Sequence, residues 1–158
     1  MQLAIELAEQ NSDNGTGGPF GAAIFGQSSH RLLAVGVNLV ASQDCSLAHA
    51  ETVALALAQK VIGHYDLSSG HESYELVTSV EPCAMCLGAI PWSGIKSVVC
   101  GACAEDAEAV GFDEGSKPAR WVQTLTQRGI EVTTEVLRDE ARRVLLAYKN
   151  QGHAIYHP

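Results

Sequence analysis

A histidine and a glutamate two residues apart, His49 and Glu51 in AHAETVAL, and two cysteines three apart, Cys83 and Cys86 in EPCAMC, are of types and at spacings that could do chemistry. Cysteines three apart at the start of a helix put both sulfurs on one side, where they can hold one metal ion. By itself the pair reads equally as two small core residues or a redox couple. The unpaired N–H groups and macrodipole of a helix N-terminus favour thiolates for either metal or redox use. His49 adds a third ligand type. A lone histidine is more often structural, but Glu51 shares its first helical turn, and both can reach past the helix end into one site. One histidine and two cysteines suit Zn²⁺ and leave a fourth position open for water. Zinc lowers the pKa of such a water toward about 7, and a nearby carboxylate, here Glu51, can move protons between it and a leaving group. The competing reading is a structural zinc completed by Cys45, Cys100 or Cys103, which leaves Glu51 and Pro82 without a role.

Several elements must position these residues. QLAIELAE (2–9) has helical spacing and NSDNGTGGP ends it with turn formers. FGAAIFG and RLLAVGVNLV, separated by QSSH, read as a hairpin. Ser46 can cap a helix whose apolar positions Val53, Leu57 and Val61 recur every four residues, with His49 and Glu51 in its first turn. YELVTSV is a buried-strand pattern, and Pro82 suits the first turn of a helix through CAMCLGAIPW. IKSVVCGA reads as a strand, KPARWVQTLTQRG and LRDEARRVLLAYKN as helices, and IEVTTEV as a short strand between them. Alternating strands and helices predict an α/β layered fold with a mostly parallel or mixed sheet.

At 158 residues the chain fits one domain, 1–158. With 46% hydrophobic and 18% charged residues it has the composition of a globular protein with a real core. No apolar run reaches a membrane span and MQLAIELAEQ lacks the order of a signal peptide, so a cytoplasmic location and no membrane partner are expected. The net charge of −8, from 18 acidic and 10 basic residues, disfavours nucleic acid as a partner. Arg138, Arg142 and Arg143 lie at helical spacing among Asp139 and Glu140 and read as a solvated, salt-bridged face. Cys45, Cys100 and Cys103 read as small packed residues, with Cys45 close enough to His49 to line the site. His30, His64, His71, His153 and His157 read as solvent-facing.

H-x-E followed by P-C-x-x-C is the signature of zinc-dependent nucleobase deaminases. From GGPFGAAIF through GVNLV, AHAE and EPCAMCLGAI to the end, the sequence resembles the cytidine deaminase-like superfamily. The resemblance implies a three-layer α/β/α fold with a mixed, roughly five-stranded sheet, a zinc at the starts of two helices, and dimers or higher oligomers. Within the superfamily the chain is most similar to the bacterial guanine deaminases, through GAIPWSGI, VGFDEG and the tail YKNQGHAIYHP. That likeness implies hydrolysis of a free purine base, guanine to xanthine and ammonia, with His49, Cys83 and Cys86 on zinc and Glu51 catalytic. It further implies that Glu114 aids proton transfer, where relatives often carry aspartate. Asn38 and the backbone at Ala50 would orient the base, Trp92 and Phe20 would line its pocket, and the tail, with Tyr156, would close over it. A core role for Phe20, an interface role for Trp92 and turn roles for Asn38 and Glu114 stand beside these. The alternatives are a tRNA adenosine deaminase, a deaminase of guanosine, cytosine or an amino-triazine, and a structural zinc-binding interaction domain. The acidic stretch GACAEDAEAVGFDEGSK stands where a tRNA-acting member would carry basic residues.

Overall fold

The computed structural model describes residues 1–156. Its elements run α1 (Gln2–Asp13), β1 (Gly21–Gly26), β2 (Leu32–Val37), α2 (Ala50–Ile62), β3 (Tyr74–Val80), α3 (Ala84–Ser93), β4 (Ser97–Ala102), α4 (Ala104–Val110), α5 (Trp121–Thr126), β5 (Glu131–Thr133) and α6 (Arg138–Asn150). The sheet order is β2-β1-β3-β4-β5. β1 pairs antiparallel with β2 and β3, whereas β3–β4 and β4–β5 are parallel, so the sheet is mixed as expected. Two separate apolar clusters make it three layers. One joins α2, α3 and α5 to the sheet through Ala54, Leu55, Ile90 and Trp121, and the other joins α1, α4 and α6 through Ile5, Ala107, Val144 and Leu145. No helix among the described residues is long and apolar enough to cross a membrane.

Helix α2 differs from its sequence reading in a way that matters for the site. It starts at Ala50 with His49, not Ser46, as its N-cap, and its buried face is Ala50, Ala54, Leu55 and Ala58. Val61 and Leu57 point outward instead, exposed by 66% and 44%. The reason is close approach: a Cβ on Gly36 of β2 would lie 2.2 Å from the Ala50 carbonyl oxygen and 2.5 Å from the Ala54 nitrogen. Only small residues on both partners let the helix backbone sit that near the strand. The alanine row therefore outranks the larger apolar residues and presses the N-terminus of α2 against the sheet.

Other differences are local. Helix α1 runs on to Asp13, past the expected stop. Pro82 lies just before α3, whose N-cap is Cys83. The acidic stretch after β4 holds α4, in which Asp106 accepts a hydrogen bond from the Cys103 N–H at 3.0 Å in a capping box. Arg138 pairs with Asp106 at 2.8 Å and Glu135 at 2.9 Å rather than with its neighbours Asp139 and Glu140. Cys100 and Cys103 are buried as expected, but Cys45 is exposed. His153 is half-buried and stacks on Tyr148, while His157 lies outside the described residues.

The Arg138 hydrogen bonds hold the Asp106 carboxyl below its ordinary value of 3.8, although burial works against them. A depressed carboxylate stabilises the fold fully above that value and loses its contribution as pH falls below it. Asp106→Ala should therefore cost about 1–2 kcal/mol at pH 7 through the lost cap and ion pair. In urea unfolding the gap to wild type should narrow below pH 4; a gap independent of pH would remove the ion pair from this account.

Candidate active site

Two helix N-termini meet at the site. His49 caps α2 and Cys83 caps α3, both with extended backbone, and Cys86 lies one turn into α3, fully buried. The His49 Nδ1 atom is 3.5 Å from the Cys83 Sγ and 3.7 Å from the Cys86 Sγ, and the three ligand atoms fall within 4.8 Å of one another. Tetrahedral zinc with Zn–N near 2.05 Å and Zn–S near 2.3 Å sets N···S at about 3.6 Å. The donor set fits that ion, and zinc is the cofactor. A hydrogen bond from Cys86 holds the Cys83 thiol down to about 4 and pushes the Cys86 thiol up, together with burial. A dication beside both takes each as a thiolate.

Glu51 is the second residue of α2 and is buried at 6% exposure, facing the ligand group. Burial, then the Cys83 charge, raises its carboxyl to about 7. Glu114 comes from the loop between α4 and α5. It too is 6% exposed, and burial followed by the Cys83 charge pushes it up to about 8. Its Oε2 is the one buried side-chain polar atom without a hydrogen-bond partner among the described residues. Such an atom calls for a donor from outside the chain.

Between these groups lies a cavity of about 610 Å³, lined by His49, Glu51, Cys83 and Glu114 together with Phe20 and Phe112, within the usual range for small-molecule sites. Phe20 and Phe112 meet edge to face at 4.8 Å, and Phe112 meets Tyr156 at 5.9 Å, making an aromatic wall. Asn38 lines the cavity at 1% exposure. Its Nδ2 donates to the Tyr156 hydroxyl, and its carbonyl accepts from Asn11 Nδ2 at 2.8 Å. Gly17 is required beneath it, since a Cβ there would lie 1.8 Å from the Asn38 carbonyl oxygen.

Trp92 is the expected pocket residue that lies elsewhere. At 85% exposure near the end of α3 it is on the outer surface and does not line the cavity. Cys86 faces the ligand group from the first turn of α3, and a residue six positions on has rotated away along a 3.6-residue period. Phe112 takes the place given to Trp92, and lies inside VGFDEG two residues before Glu114. Ala50 is fully buried, and its N–H is one that the α2 ladder does not use. Glu81, which lines the cavity, and Asn11, which ties α1 to Asn38, were also missed. Adjacency to the cysteine motif was the available signal for Glu81; Asn11 offered none.

The fold and the site define a zinc-dependent hydrolytic aminohydrolase. The sequence model of the cytidine and deoxycytidylate deaminase zinc-binding region matches residues 1–102, and the chain belongs to that family. It is 41% identical over 114 residues to the guanine deaminase of Bacillus subtilis, covering 72% of this chain and 69% of that one. A solved guanine deaminase from Nitrosomonas europaea superposes with a TM-score of 0.92 at 47% identity, over 94% of this chain and 82% of that one. A variant protein solved in complex with 8-azaguanine superposes with a TM-score of 0.91 at 47% identity, over 94% and 83%.

Proposed function

We propose that this chain is a guanine deaminase, converting guanine and water to xanthine and ammonia. The likeness to the Nitrosomonas europaea guanine deaminase carries the reading, at 47% identity over 94% of the chain. Zinc, when bound by His49, Cys83 and Cys86, supplies a water acidic enough to attack at neutral pH. Glu51 accepts a proton from the attacking water and returns it to the ring as the new C–O bond forms at C2. Glu51 then carries the proton of the new C2 hydroxyl to the exocyclic amine, so that the C–N bond breaks, ammonia leaves and C2=O forms. Glu114, buried and without a partner among the described residues, accepts a hydrogen bond from that amine and orients it. Asn38 orients the ring from the lining, joined by the N–H of Ala50, which is fully buried at the start of α2 and is not itself a lining residue. Phe20 and Phe112 wall the ring, and Tyr156 covers it.

Against a tRNA substrate stand the net charge of −8 and the acidic run of Glu105, Glu108 and Asp113 leading to the cavity, which repel a phosphate backbone. Ammonia release by zinc-loaded protein from guanine, guanosine, adenine, cytosine, an amino-triazine and an adenosine-containing anticodon stem-loop tests the reading. Guanine should exceed every other substrate by at least about a hundredfold in kcat/KM, as buried polar groups left unpaired cost that much. Deamination of the RNA without deamination of guanine moves the chain to the tRNA-acting branch.

The working form proposed is a cytoplasmic, single-domain homodimer. Trp92 and Tyr65, exposed by 85% and 76%, belong to one end of the α2–α3 layer, where the Leu67 N–H bonds the Ser93 carbonyl at 2.8 Å. With Leu57 and Val61, also exposed on α2, these side chains support an apolar contact with a second copy of the chain. Trp92→Glu should shift the molar mass by light scattering from dimer to monomer. A monomeric wild type would dispose of the idea.

A further inference from the structure

The geometry points to Lys117 as a positioning residue that sets where Glu114 stands in the cavity, an inference that rests on the proposed role of Glu114. The Glu114 carboxylate is buried, yet its Oε2 has no partner among the described residues. No hydrogen bond among the described residues orients that oxygen, so its position depends on the backbone of the loop that carries it. That loop, between Val110 and Trp121, has no helix or strand. It is clipped to the segment leading into α3 at both ends of a short span. On one side the Ala84 N–H donates to the Glu114 carbonyl at 2.9 Å. Gly115 follows with φ +71°, where a Cβ would come within 3.1 Å of the Ala84 Cβ. On the other side Lys117 Nζ reaches back to Glu81 Oε2 at 2.7 Å.

The second clip is built for rigidity. Both partners are largely withdrawn from water, at 10% and 12% side-chain exposure, so the pair is screened far less than a surface ion pair. The ammonium also lies 4.6 Å from the ring centroid of Trp121, whose indole is packed in the core cluster of the α2–α3 layer. Trp121, Lys117 and Glu81 thus form a chain of contacts from the core to the residue two positions before Cys83. Lys117 does not line the cavity, so it acts on the reaction through Glu114 and not by touching the base.

The test compares Lys117→Met, Lys117→Arg, Glu114→Gln and the double variant Lys117→Met/Glu114→Gln, each with zinc content, thermal midpoint, kcat and KM for guanine. Lys117→Met should lower kcat per bound zinc about 10- to 100-fold with KM within about threefold, the scale of a small misplacement of a reacting group. Lys117→Arg, which keeps the charge and the aromatic contact, should restore most of it. In the Glu114→Gln background Lys117→Met should cost almost nothing further. Multiplying losses in the double variant, or wild-type kcat per zinc in Lys117→Met, overturns the inference while leaving Glu114 in its role. Wild-type turnover by Glu114→Gln overturns that role and the inference with it. Should Lys117→Met fail to fold, Lys117→Gln removes the same ion pair from outside the cavity while leaving a hydrogen-bond donor for Glu81, and is read by the same criteria.

Discussion

Glu51→Gln should lower guanine turnover by about 10³- to 10⁴-fold, the upper range for a positioned general acid–base group, and leave one zinc bound per chain. Glutamine keeps the length and volume of the side chain but cannot accept and return a proton. Its fold should survive, because a carboxyl that burial already holds near 7 gives up little by becoming a neutral amide. The thermal midpoint should stay level or rise. The ligand group is spared, since His49, Cys83 and Cys86 contribute the metal-binding atoms and Glu51 does not. This pattern separates proton transfer from zinc binding. Activity within tenfold of wild type would sink the assignment of Glu51, whatever the zinc content.

Loss of a ligand should have an effect at least as large, by a different route. Cys86→Ala should reduce zinc to substoichiometric levels and turnover to background, and it should also lower the thermal midpoint. The three ligands come from two helices, α2 and α3, whose N-caps the ion joins. An ion bound to the folded chain alone stabilises it by mass action, by about 4 kcal/mol at a thousandfold excess over its Kd. Treating the wild type with a chelator should lower its midpoint comparably, and added Zn²⁺ should restore both midpoint and turnover. The variant should respond to neither. Guanine turnover by Cys86→Ala with no zinc detected would contradict a zinc-dependent mechanism altogether.

Much of the site was legible because its signals are local. A cysteine at a helix cap and another three residues on face the same side, and a glutamate two after a histidine at a helix start can reach past the helix end with it, because the cap lies outside the helical ladder. The strands were legible for a similar reason: β1, β3 and β4 are runs of mostly apolar and small residues buried along most of their length, because the mixed sheet is covered on both faces. Helix α4 was not, since Glu105, Asp106 and Glu108 hide a seven-residue helix stabilised by its capping box and by Arg138 from far along the chain.

The α/β order of elements, the donor types for zinc and the carboxylate beside them each depend on residues within one turn or one strand, and so were readable along the chain. Which faces those elements bury is set by packing between distant parts of the chain. It turned Ala50, Ala54 and Ala58 inward because Gly36 admits a helix backbone at close range, and so left Leu57 and Val61 outside. It placed Trp92 on the surface and Phe112 in the cavity, buried Glu114, and set Asn11 under Asn38 and Lys117 against Glu81. These are contacts between residues 27 and 36 positions apart in the last two cases, and no local pattern encodes them. They exist only once packing has chosen among the apolar surfaces and the buried charges have found partners.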